Sequence, residues 1–142
     1  MTQEQKDLLL QDLCTRLPYG VKVKLGDNPN IFDLEYRIKF AIMYGDSDKL
    51  EDILDITNIK PYLFPLSSMT NELWDKEFMG CGITEFTRDS FKYGCETLEF
   101  NNDNPHLSSM VRFINQLIKN HFDIYGLIPM GLAEDATGKN IY

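Results

Sequence analysis

The chain has 142 residues, 43% of them apolar and 25% charged, with a formal net charge of −8. A chain of this length buries about two thirds of its extended surface and needs no metal or cross-link to hold one core, and its apolar content excludes a wholly disordered polypeptide. No apolar run approaches the ~20 residues that span a bilayer.

The first segment reads as a helix. Thr2 and Gln5 stand at capping-box spacing, the hydroxyl serving one orphan amide and the glutamine reaching back to the cap. Leu9, Leu10, Leu13, Cys14 and Leu17 recur at three- and four-residue steps and draw one apolar stripe. Pro18 and Gly20 end it, because proline cannot continue the ladder and glycine suits the exit turn. From Val21 the period changes to two. Val21, Val23 and Leu25 alternate with Lys22 and Lys24, as in a strand with one face buried and its lysines in water. The stretch 26–30, GDNPN, is turn-forming. Over residues 31–43, Phe32, Leu34, Tyr36 and Ile38 alternate with Asp33, Glu35 and Arg37, which predicts a second strand, with a bend or a further strand from Phe40. Asp46 and Asp48 mark another turn, and Leu50, Ile53, Leu54 and Ile56 lead on to Ile59. Short strands at this spacing predict a small twisted antiparallel β-sheet or an SH3-like barrel.

Residues 61–65, PYLFP, hold two prolines without a ladder donor, so they are expected as an extended connector rather than a central strand. Thr70 and Glu72 open a short helix through Leu73, Trp74 and Phe78, stopped by Gly80. Residues 81–100 fit neither period cleanly and are expected as short strands. Asn104 as cap and Pro105 at the first helical position start a long amphipathic helix near 105–120, with Leu107, Met110, Val111, Ile114, Leu117, Ile118 and His121 on one face. The remainder, rich in glycine, wraps back over the core. The expectation is an α+β chain in a single domain, 1–142. A leading helix and a β-rich part fill 1–66, and a helix-containing mixed part over 67–142 packs against them.

Charge is unevenly spread. Residues 1–26 carry four basic and three acidic groups, residues 27–78 five and eleven, and residues 79–142 five and eight. The acid concentrated in the middle reads first as a solvated face that keeps the chain soluble, with a docking surface for a basic partner as the sharper alternative. It argues against a broad phosphate-binding surface, which needs a basic stripe. Cys14, Cys81 and Cys95 are too few and too scattered for a disulfide framework, and the first residues lack a basic start followed by an apolar signal core. A cytoplasmic, reduced setting with free thiols is expected.

Bond-making chemistry finds little support. Cys81, Cys95, His106 and His121 lack the close pairs that present two ligands to one zinc ion. The acidic run Asp46, Asp48, Glu51 puts glutamate where a calcium loop needs glycine. His121 is expected on the apolar stripe of the long helix, and Cys81 has no histidine near it in sequence to activate it. No phosphate-cradling glycine motif and no nucleophile elbow occurs. No catalytic residue, metal or cofactor is assigned. Binding remains. Tyr36, Tyr44, Tyr62 and Trp74 are the candidate contacts for a protein partner, since tyrosine and tryptophan anchor interfaces. The alternative is a nucleic-acid-binding barrel using Arg16, Lys22 and Lys24 with aromatics to stack on bases. A second alternative is a small enzyme with a carboxylate site that sequence does not single out.

Three stretches carry a resemblance: LCTRLPYGVKV at 13–23, IKPYLFPLSSMT at 59–70, and NHFDIYGLI at 120–128 followed by Gly131, Leu132 and Ala133. Together they resemble a recurrent family of short proteins encoded by gut anaerobic bacteria and their prophages, over about the first 70 and the last 35 residues. The resemblance implies an intracellular, phage- or mobile-element-related setting and brings no catalytic residues. The function expected is a non-enzymatic accessory or adaptor that binds a protein partner.

Overall fold

The computed structural model describes residues 1–45, 55–78 and 107–142, with side chains from 111 onward in the last stretch. The fold is α+β with a leading helix, and the described residues form four α-helices and one four-stranded sheet. The strands expected at 81–100, the cap at Asn104, the turn at Asp46–Asp48 and the candidate ligands Cys81, Cys95 and His106 lie outside the described residues. The chain divides into two compact units, Met1–Leu63 with Tyr125–Tyr142, and Phe64–Ile124.

In the first unit, helix α1 spans Gln3–Arg16 and begins at the capping box foreseen: Gln5 N–H donates to Thr2 Oγ1 at 3.2 Å and Thr2 N–H to Gln5 Oε1 at 2.9 Å. Its buried line is Leu9, Asp12, Leu13 and Arg16, so Leu10 and Cys14 lie on the exposed flank of the stripe. Asp12 and Arg16, one turn apart, are fully buried as an ion pair, with Arg16 Nε donating to Oδ1 at 2.9 Å and Oδ2 at 2.8 Å. A turn of 3-10 helix at Leu17–Tyr19 leads to Gly20, whose φ of 71° reverses the chain into β1, Lys22–Leu25. β1 pairs antiparallel with β2, Phe32–Asp33, and with β3, Ile59–Leu63.

Two expectations fail here, each for a physical reason. The alternation over 31–43 makes only the two-residue β2, after which Leu34–Tyr44 is helix α2. Leu34, Ile38 and Ala41 also recur at helical spacing, Leu34 and Ala41 being buried, and Asp33 caps the helix by accepting from Tyr36 N–H at 2.9 Å. The cap and the i, i+4 pattern outweigh the period-two reading. Conversely, the proline-bearing segment is an inner strand: β3 lies between β1 and β4, Glu134–Asp135. Residues 58, 60 and 62 turn their backbone groups toward β1, as Gly26 N–H donating to Asn58 C=O at 2.7 Å shows. The donor that Pro61 lacks therefore falls on the other side, where the register with β4 begins only at Tyr62. The antiparallel trio gains β4 in parallel, giving a mixed open sheet of order β2-β1-β3-β4. The tail does return to the core, through Leu127, Leu132 and Ala133, which pack with Leu9, Leu13, Val21, Val23 and Leu63.

In the second unit, helix α3 spans Asn71–Glu77 and is capped by Thr70, whose Oγ1 accepts from Leu73 N–H at 3.2 Å. Helix α4 spans Leu107–Lys119. Its core-facing line passes through Phe113 and Leu117, while Val111 and Ile114, expected inward, are exposed. The reason is the aromatic cluster that Phe113 completes: its ring meets those of Trp74 at 5.9 Å and Phe78 at 5.5 Å. His121 is not on the helix. It sits just past the end with φ of 59°, donating to Ile118 C=O at 3.0 Å, while Phe122 N–H donates to Leu117 C=O at 2.9 Å. Those two bonds and the Phe122–Leu117 contact make a Schellman cap with histidine in the place glycine usually takes. The reversed chain then runs beside Phe64, where Phe64 N–H donates to His121 C=O at 2.9 Å and Asp123 N–H to Phe64 C=O at 2.8 Å.

Candidate functional site

Helix α2 carries the most exposed apolar surface of the first unit, and its sequence explains how. Asp33 fixes where the helix starts, serving the Tyr36 amide through Oδ1 and Lys22 Nζ through Oδ2 at 2.8 Å. Burial works to raise the Asp33 pKa, but these hydrogen bonds and the ammonium charge outweigh it and hold the carboxyl below its ordinary value. Gly45, with φ of 63°, ends the helix. Leu34 and Ala41 face inward, so residues two positions away, such as Tyr36 and Met43, face out.

On that outer side Tyr36, Phe40 and Tyr44 follow at four-residue steps. Their rings form a ladder, with centroids 6.0 Å apart between Tyr36 and Phe40 and 4.4 Å between Phe40 and Tyr44. Tyr36 is 63% and Tyr44 67% exposed, and Met43 and Ile42 beside them are 73% and 64% exposed. On the opposite flank of α2 lies an apolar pocket of about 150 Å³. Leu10, Leu13, Cys14 and Leu17 of α1 line it, with Leu34 and Ile38 of α2 and Ile56 and Ile59 where the chain enters β3. Asp55 sits beside that entry, its carboxyl held low by the Thr57 hydroxyl and amide.

The structure thus brings two of the four aromatic candidates, Tyr36 and Tyr44, onto one helix face. The other two serve the interior. Tyr62 is 6% exposed, with the Lys139 ammonium 5.0 Å from its ring centroid, and Trp74 is 3% exposed, stacked on Phe78 at 5.4 Å in the second unit. The three basic candidates do not make a bare stripe. Arg16 is fully buried on Asp12, Lys22 is paired with Asp33, and Lys24 lies 3.7 Å from Glu134. Sequence reading missed Phe40, Ile42, Met43 and the pocket. The signal was present in the Asp33 cap and the Leu34–Ile38–Ala41 spacing, which make residues 34–44 a helix and set 36, 40 and 44 in a row.

The chemistry open to this site is apolar contact. Three rigid rings offer large, pre-ordered area, and a pocket lined by hydrocarbon and one thiol accepts an apolar side chain. Among the described residues no three His, Cys, Asp or Glu side chains gather as metal ligands, and no helix is long and apolar enough to cross a membrane. Compared with known proteins, the chain matches no family model, no curated protein and no solved structure.

Proposed function

We propose that the chain is a non-enzymatic adaptor that docks a protein partner on helix α2, in a cytoplasmic, phage- or mobile-element-related setting. The observation that carries the reading is the ring ladder Tyr36–Phe40–Tyr44, whose two tyrosines are exposed. A contiguous apolar patch of this kind on an otherwise charged chain marks an interaction surface, and aromatic anchors supply most of the energy at such surfaces. The pocket beside α2 is sized for a single apolar side chain of the partner, as a cavity of about 150 Å³ lined by aliphatic groups takes up one benzene-sized group. The net charge of −8 acts at longer range, speeding the approach of a basic partner.

The test is affinity capture from host extract with the native chain and with a Tyr36→Ser/Tyr44→Ser variant. The expected result is a protein held by the first and lost by the second, with association slowing as salt is added. Capture indifferent to both substitutions, or retention of the chain on single-stranded DNA at low salt, would overturn the reading, the latter in favour of a nucleic acid.

A further inference from the structure

The β1–β3 ladder lacks a rung that its register calls for. In an antiparallel pair every second residue turns its backbone groups to the partner strand. Gly26 donates to Asn58, and Lys24 stands opposite Lys60, so Lys22 comes next and Tyr62 is its counterpart. A side chain stands between them instead. Lys22 N–H donates to Tyr142 Oη at 3.1 Å, and the same hydroxyl donates to Tyr62 C=O at 2.8 Å. The route by which Tyr142 reaches the ladder is tightly turned. Thr137 N–H donates to Asp135 Oδ1 at 2.8 Å, Lys139 N–H donates to Ala136 C=O at 3.1 Å, and Gly138 and Asn140 both take left-handed backbone. Lys139 adds two holds, lying over the Tyr62 ring and 3.8 Å from Glu134. Burial pushes the Tyr142 phenol up to about 12, against the Lys22 amide and the Arg16 charge, so the hydroxyl keeps the proton it donates.

We propose that Tyr142 is a clasp that fastens residues 137–142 as a reversible strap, with Ala136 staying bonded to Leu63 C=O, and that the strap opens by handing its rung to a direct bond from Lys22 N–H to Tyr62 C=O. Clasped, the amide and the carbonyl are both satisfied by the phenol. Open, they satisfy each other and the phenol returns to water. Neither arrangement orphans the Lys22 amide or the Tyr62 carbonyl, which sets this opening apart from ordinary fraying of a strand end. The strap and the sheet are thereby a two-position element, and the Asp12 and Arg16 charges that reach the phenol gain or lose a neighbour with it. This inference is independent of what docks on α2.

Trypsin cleavage after Lys139 reads the opening in the native protein. The expected rate exceeds what unfolding of the first unit allows, judged by exchange of the Val23 and Lys24 amides, and is insensitive to low denaturant. Tyr142→Phe keeps the ring and removes the hydroxyl. Cleavage is expected to rise about fivefold while the Lys22 amide exchanges as slowly as in the native chain, its rung now closed by Tyr62. Cleavage that tracks unfolding of the first unit would overturn the strap, and the native chain alone decides this if the variant fails to fold. A Lys22 amide exchanging about tenfold faster in Tyr142→Phe, with Val23 and Lys24 unchanged, would overturn the handover.

Discussion

The two units solve the problem of filling an interior with opposite materials. The first packs aliphatic side chains, Leu9, Leu13, Val21, Val23, Leu63 and Leu127 among them, against a sheet and two helices. The second packs rings: Trp74, Phe78, Phe113 and Phe122 meet at centroid distances of 5.4 to 6.4 Å. Rings are broad and lock one another in tilted and stacked pairs, so a handful of them completes a core. Branched aliphatic chains fill space in smaller pieces, and between α1 and α2 they leave a pocket of about 150 Å³ open. The unit with the softer packing is also the one that turns Tyr36 and Tyr44 outward, on α2.

Substitutions can break or sharpen that contrast. The largest effect is expected from Phe78→Ala, which removes a fully buried ring touching three others and costs about 3–5 kcal/mol. Trp74 is the chain's single tryptophan, so its fluorescence during urea unfolding follows the second unit selectively. If amides of the first unit weaken equally, the two units unfold as one and the contrast is only one of composition. In the first unit, Asp12→Ala strands a buried guanidinium without its carboxylate and is expected to cost about 3 kcal/mol, whereas Asp12→Leu with Arg16→Met comes close to neutral by circular dichroism melting. Capping changes come next. Thr70→Ala in the second unit and Gly131→Ala in the first, where φ is +73° and a new methyl meets nothing, should each lower stability by about 1 kcal/mol.

Acid should separate the units further. Asp33, Asp55 and Asp135, all in the first, have carboxyls held below the ordinary value, Asp135 chiefly by the Thr137 amide. A group with a lowered folded pKa contributes fully above its unfolded value of about 4 and loses that contribution as pH falls through the folded value. The first unit is therefore expected to weaken below about pH 4, and Asp33→Asn should flatten that acid limb in a pH series of urea midpoints. The smallest effect is on α2: Tyr44→Ser should change stability by less than about 0.5 kcal/mol, because the ring is mostly in water. A larger loss would show that the ladder is part of the fold rather than a surface offered to a partner.

Local signals told most where one physical cause acted alone. The capping box at Thr2 and Gln5, the exit at Gly20 and the cap at Thr70 were all readable because each rests on a few neighbouring atoms. Where two periods coincided, the reading failed: Phe32, Leu34, Tyr36 and Ile38 satisfy a strand, yet Leu34, Ile38 and Ala41 satisfy a helix, and only the Asp33 cap separates them. That single choice hid the site, since Tyr36 and Tyr44 become neighbours of Phe40 only on a helix. Pro61 misled for another reason. Its cost depends on which side of the strand its nitrogen faces, and pairing partners 34 to 38 residues away decide that. β4 has two residues and owes its existence to the β3 edge rather than to any pattern of its own.

The first unit is completed by residues 125–142, which supply Leu127, Leu132, Ala133 and the Tyr142 phenol to a core begun by residues 1–63. During synthesis, then, its hydrophobic half-core waits unsealed while the ribosome delivers residues 64–124, where Trp74 and Phe78 must in turn wait for Phe113, 35 residues further on. The part made first is therefore the part that needs protection from aggregation for longest, until residues 125–142 have emerged to seal it.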